Sequence, residues 1–182
     1  MSLEPLSVWK STLAALPPTA GAWYIPFASW YAARILPISP DPGVFVAAGF
    51  LFTFNVSVFQ TQLSLLTPVN NALAGITGFA NAWEAAILAS TVVVSPGSAL
   101  VPPTPATTFS AVATSLIDTT SIALGKAKLL ELVSAPQVPD ANDSEFPEKF
   151  REATLLLTMT VTGINSIVPV PTPLTAPFVP FI

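Results

Sequence analysis

The chain has 182 residues and a net charge of −4, with 9% charged residues against 52% hydrophobic ones, 20 prolines, and neither histidine nor cysteine. Its six basic residues exclude the basic footprint of a nucleic-acid binder. The missing His and Cys remove the usual general base, the thiolate nucleophile, disulfides and the commonest metal ligands.

The length suits one domain with a real core, or a domain plus an extended arm. Mean hydropathy is +0.67, a value more usual for membrane proteins. Prolines spread along most of the length do not fit spanning helices. No charge lies between Asp41 and Glu84 or after Glu152, while seven of the sixteen fall within 140–152. One short segment must therefore meet water and long stretches need not. The first ten residues, MSLEPLSVWK, lack a basic region followed by an apolar run and are not read as a signal peptide.

Residues 2–16 read as a short helix. Ser2 is its candidate cap, Glu4 suits the positive dipole end, Pro5 is tolerated in the first turn, and Leu6, Trp9, Leu13 and Leu16 form the apolar side. Pro17 and Pro18 end it. Residues 21–36 are aromatic-dense, with Trp23, Phe27, Trp30 and Tyr31 at helical spacing. Three readings stand: a core helix, a contact face for another protein, or a membrane-interface belt. Residues 37–43 (PISPDPG) form a turn-rich connector.

Residues 44–59 alternate, with Phe50, Phe52 and Phe54 on one face. Period two with β-branched and aromatic residues predicts a long strand, bent at Gly49; the apolar run 44–51 leaves a helix open. With few good partners in the chain, such a strand either folds back on itself or pairs with other chains.

Helix returns over 67–90. Thr67 is the candidate cap, and Val69, Leu73, Ile76, Ala80, Trp83 and Ile87 form a seam for another helix. Gly75 and Gly78 cost about 1 kcal/mol each relative to Ala, so a close backbone neighbour is expected there. A Pro-rich link, 95–106, leads to the segment on which the reading centres, a helix over 107–134. Its cap would be Thr107 or Thr108, and its stripe Phe109, Val112, Leu116, Ala123, Ala127 and Leu130. The simplest arrangement packs 67–90 antiparallel against 107–134. Lys126 and Lys128 read as helix-end charges. A last helix is expected over 146–162, capped by Ser144, with Phe146, Phe150, Ala153, Leu157 and Val161 inward and Gly163 closing it.

Residues 164–182 (INSIVPVPTPLTAPFVPFI) hold five prolines and no charge. Proline gives a stiff extended backbone, and a disordered tail is normally polar and charged. The segment is therefore read as an arm laid along a surface, anchored by Val170, Leu174, Phe178, Phe181 and Ile182.

No motif carries chemistry. Asp118 and Glu84 are each alone along the chain and read as solvated helix charges rather than a hydrolase pair. Asp140, Asp143 and Glu145 lack the Gly and closing Glu of a calcium loop. GITGFA at 75–80 has no phosphate-loop spacing. Asn55-Val56-Ser57 formally matches a glycosylation acceptor. No catalytic residue, cofactor or metal is assigned.

The helix, Thr-Gly break and Pro-rich tail of FREATLLLTMTVTGINSIVPVPTPLTAP at 150–177, with AWEAAILAST at 82–91, resemble small virion structural proteins of large tailed bacteriophages. In that group Ala-, Thr- and Pro-rich helical chains carry an invasive C-terminal arm. The resemblance is one of style and transfers no residue role. It implies a non-catalytic capsid, neck, tail or baseplate component, assembled in the host cytoplasm into the virion.

The expectation is thus a mainly α chain with a long β segment (α+β): a helical domain over 1–163 with a β segment near 44–59, and an arm over 164–182. Its partners would be other structural subunits, in a homo- or hetero-oligomer without nucleic acid. Contact residues would be Trp23, Trp30, Tyr31, Phe50, Phe52 and Phe54 with the five arm anchors. The alternative is a membrane-associated or pore-forming, holin-like protein, for which the hydropathy speaks. No clean apolar run of ~20 residues supports it.

Overall fold

A computed structural model describes residues 4–16, 22–35, 50–66, 72–94, 97–99, 107–111, 117–134, 145–165 and 172–178. They are mainly helical: α1 (Leu6–Ala14), α2 (Tyr24–Ala32), α3 (Val56–Ser64), α4 (Ala72–Leu88), α5 (Thr119–Leu130) and α6 (Phe146–Leu155). A 3₁₀ turn, Glu131–Ser134, continues α5. Two short strands, β1 (Phe50–Thr53) and β2 (Thr91–Val94), pair antiparallel, with Phe50 opposite Val94 and Thr53 opposite Thr91. Strands β3 (Gly97–Ala99), β4 (Thr107–Ala111), β5 (Met159–Asn165) and β6 (Thr172–Phe178) follow one another in an antiparallel order.

The long strand expected over 44–59 does not form as one element. Residues 44–49 lie outside the described part, β1 is four residues long, and α3 begins at Val56. Asn55 makes the break. Its Oδ1 accepts from the Val58 N–H at 3.0 Å, which caps α3. Its Nδ2 donates to the Ala89 carbonyl at 3.1 Å and its backbone N–H donates to Ser90 Oγ at 3.0 Å. Downstream the helical period wins, because Phe59 and Leu63, four apart, are both buried.

The helix expected over 107–134 is also shorter. Thr107–Ala111 is strand β4, and α5 starts at Thr119. Asp118 is its cap, not Thr107 or Thr108: the carboxylate accepts from the Thr120 N–H at 3.0 Å. The buried face of α5 is Ser121, Ile122, Gly125 and Leu129. Ala123 and Ala127 are exposed, so the expected stripe was rotated by about one residue. Val112 and Leu116 lie outside the described residues.

The last helix stops at Leu155, and Gly163 sits in β5 rather than behind the helix end. Ser144, like Ser2, Thr67 and Val69, lies outside the described residues. The inward residues Phe150, Ala153 and Leu157 are buried as expected. So are Trp9 in α1 and Ala80, Trp83 and Ile87 in α4, whereas Leu73 of the expected seam is exposed. Helices α4 and α5 do pack together, as expected of 67–90 and 107–134.

Aromatic rings fill the core. Tyr31 stacks on Phe150, centroids 4.3 Å apart, and meets Phe54 edge-on at 5.1 Å. Trp9 meets Trp30 edge-on at 5.4 Å, and Phe27 stacks on Phe150 at 5.9 Å. Such pairs add about 0.5–1.5 kcal/mol each beyond area burial. The core reading of the 21–36 aromatic cluster therefore holds for Phe27, Trp30 and Tyr31.

Close packing explains one glycine the sequence did not single out. A Cβ on Gly125 would lie 2.5 Å from Trp83 Cη2 and 2.9 Å from the Ala153 carbonyl oxygen. Helices α4, α5 and α6 thus converge at a point where only a hydrogen fits. At Gly78, where a close backbone was expected, the neighbour is instead the tip of the Leu66 side chain, 2.6 Å from an added Cβ.

Candidate functional site

The residues expected to make contacts separate into groups. Trp30 and Tyr31 are buried, at 6% and 0% exposure, and Phe54 is buried at 7%. These three are corrected from contact surface to core, because the helices of this chain already cover them. Trp30 Nε1 donates to Thr12 Oγ1 at 3.0 Å, and Arg34 stacks over the Trp30 ring at 4.7 Å. Phe50 and Phe52 fall in β1, and Leu174 and Phe178 in β6. Val170, Phe181 and Ile182 lie outside the described residues. Trp23 alone of the first group is exposed, at 44%.

Trp23 has exposed apolar company. Ile25, two residues on, is 48% exposed and Leu65, just past the end of α3, is 67% exposed. Helices α2 and α3 run in opposite senses, since Tyr31 meets Phe54 and Phe59 while Gln60 Nε2 donates to the Ile25 carbonyl at 3.5 Å. The start of α2 and the end of α3 therefore share one end of the bundle. Trp23 is braced there against Phe27, ring centroids 5.8 Å apart. Ile25 and Leu65 were missed in the sequence. Ile25 sits off the seam that Trp23, Phe27, Trp30 and Tyr31 define, and Leu65 lies in a stretch that carried no expectation.

The polar groups of Tyr31, Trp83 and Thr154 are occupied by the fold itself. Within the core, Trp83 Nε1 donates to the Tyr31 hydroxyl at 2.8 Å. Thr154 Oγ1 spends its proton on the Phe150 carbonyl at 2.9 Å, so Tyr31 is the donor in its 2.9 Å bond to Thr154. Burial pushes the Tyr31 phenol well above its ordinary ionisation range, against the smaller opposing effect of these two hydrogen bonds. A neutral, doubly bonded phenol of this kind orders three helices and offers no free group for catalysis.

At the surface, Lys128 and Lys149 alternate with Glu131 and Glu152. Lys128 lies 2.8 Å from Glu131 and 3.6 Å from Glu152; Lys149 lies 2.9 Å and 3.5 Å from the same two. Hydrogen bonds from both lysines, Lys128 first, hold the Glu131 carboxyl below its ordinary value. The ring ties the end of α5 to α6, more than the helix-end role expected for Lys128. Lys126 pairs with Glu84 at 2.6 Å, so Glu84, solitary along the chain, is partnered in space. Asn55, the formal glycosylation acceptor, uses its amide on both sides, as described above.

Among the described residues no group of three or more Asp or Glu is placed to hold a metal ion. None of the described helices is long and apolar enough to cross a membrane. No protein-family model, curated protein or solved structure matches the chain.

Proposed function

We propose that the chain is a non-catalytic structural subunit of a large assembly, a virion component by its resemblance, which binds neighbouring subunits through apolar surface. The observation that carries this reading is the exposed apolar end of the bundle at Trp23, Ile25 and Leu65. Three large apolar side chains left in water on a chain with only 9% charged residues favour association, because exposed apolar area is stabilised by being removed from water. Trp is also a residue type that concentrates binding energy at interface centres. The uncharged 153–182 stretch points the same way, and its residues 164–182 are the arm of this reading.

The test is mass by light scattering in aqueous buffer without detergent, on the wild-type chain and on a Trp23→Ser/Ile25→Ser/Leu65→Ser variant. The wild type should form discrete oligomers or large particles. The variant should fall to lower mass with unchanged far-UV circular dichroism. A wild-type chain that stays monomeric at high concentration overturns self-assembly, and one soluble only with detergent or liposomes transfers the reading to a membrane protein.

A further inference from the structure

We draw no further inference here: the strongest candidate, the exposed apolar end of the helical bundle at Trp23, Ile25 and Leu65, belongs to the surface already described, and nothing in the structure shows what covers it.

Discussion

The hydroxyls of Tyr31 and Thr154, 123 residues apart in the chain, meet at 2.9 Å in the core. Because Thr154 donates onward to the Phe150 carbonyl and Trp83 can only donate, every proton in the network has one assignment: Trp83 to Tyr31 to Thr154 to Phe150. The network is a directed polar thread through an otherwise aromatic core. It fixes the rotation of α2, α4 and α6 against one another, which rings packing on rings do not do by themselves.

Tyr31→Phe keeps the ring and removes the thread. It leaves the buried Trp83 N–H without its acceptor, at a cost of about 1–3 kcal/mol. Trp83→Phe in the Tyr31→Phe background should cost less than the two separate losses added, because the orphaned donor is gone. Denaturant unfolding of both single variants and the double variant gives the coupling. Strict additivity would show that the bond contributes nothing as a pair.

The same phenol makes an alkaline prediction. Its raised ionisation range means that the unfolded state releases the proton first as pH rises. The contribution is fully present below the ordinary tyrosine value of about 10 and fades as pH climbs through the folded value. Absorbance of tyrosinate followed against pH, beside circular dichroism, should show the component abolished by Tyr31→Phe appearing only together with loss of the fold. Its appearance in a still-folded chain would mean the hydroxyl is open to water.

Two glycines separate backbone from side-chain obstruction. Gly125→Ala drives a methyl into the Trp83 ring and the Ala153 carbonyl. The ring is held by its bond to Tyr31 and the carbonyl is backbone, so neither yields without cost. Overpacking of about 1–3 kcal/mol then outweighs the roughly 1 kcal/mol that Ala gains in helix propensity. Gly78→Ala meets only the flexible end of Leu66 and should be neutral or stabilising. Thermal melts of the two variants should move apart, with Gly125→Ala the lower; equal melting temperatures would contradict the packing at Gly125.

The sequence made the helices around Trp9, Phe27, Trp83 and Phe150 legible because large apolar residues recur there at threes and fours. It misled where local pattern and tertiary contact disagree. Alternation over 44–59 hid the Asn55 cap, whose partners Ala89 and Ser90 lie 34 and 35 residues away. In 107–134 the small residues Ala123 and Ala127 are apolar enough to imitate a stripe, while the true face includes Ser121 and Gly125. Gly125 is inside because Trp83 needs its space, a pairing that no local period encodes. The contact surface was only partly legible for the same reason. Trp23, Trp30 and Tyr31 share one helical stretch, and only the positions of α1, α3 and α6 decide which of them is covered.

The charge ring should make stability fall in acid. Glu131 is held below its ordinary value, so its contribution is present above the unfolded glutamate value of about 4.3 and is lost as pH drops through the folded value. Lys128 and Lys149 are shifted upward, chiefly by hydrogen bonds to Glu131, so theirs is present below the ordinary lysine range and fades above it. Glu131→Gln should therefore lower the denaturation midpoint at neutral pH and low salt, and differ less from the wild type at pH 3 or in high salt. A difference that persists unchanged at pH 3 would assign Glu131 a role other than charge.

Deleting 164–182 separates folding from assembly. Among the residues whose burial is described, the hydrophobic core cluster runs from Trp9 to Leu157, and the deletion removes none of these. It does remove β6 and with it the pairing of Met159–Asn165 with Thr172–Phe178. The truncated chain should keep its helical circular dichroism, its Tyr31 network and its response to Gly125→Ala. If the segment serves as an arm on neighbouring subunits, the truncated chain should sediment at lower mass than the full chain, and added full chain should not recruit it into particles. Loss of helix on truncation would place the segment inside the fold instead. Unchanged assembly would leave the apolar end at Trp23, Ile25 and Leu65 as the surface that carries the association.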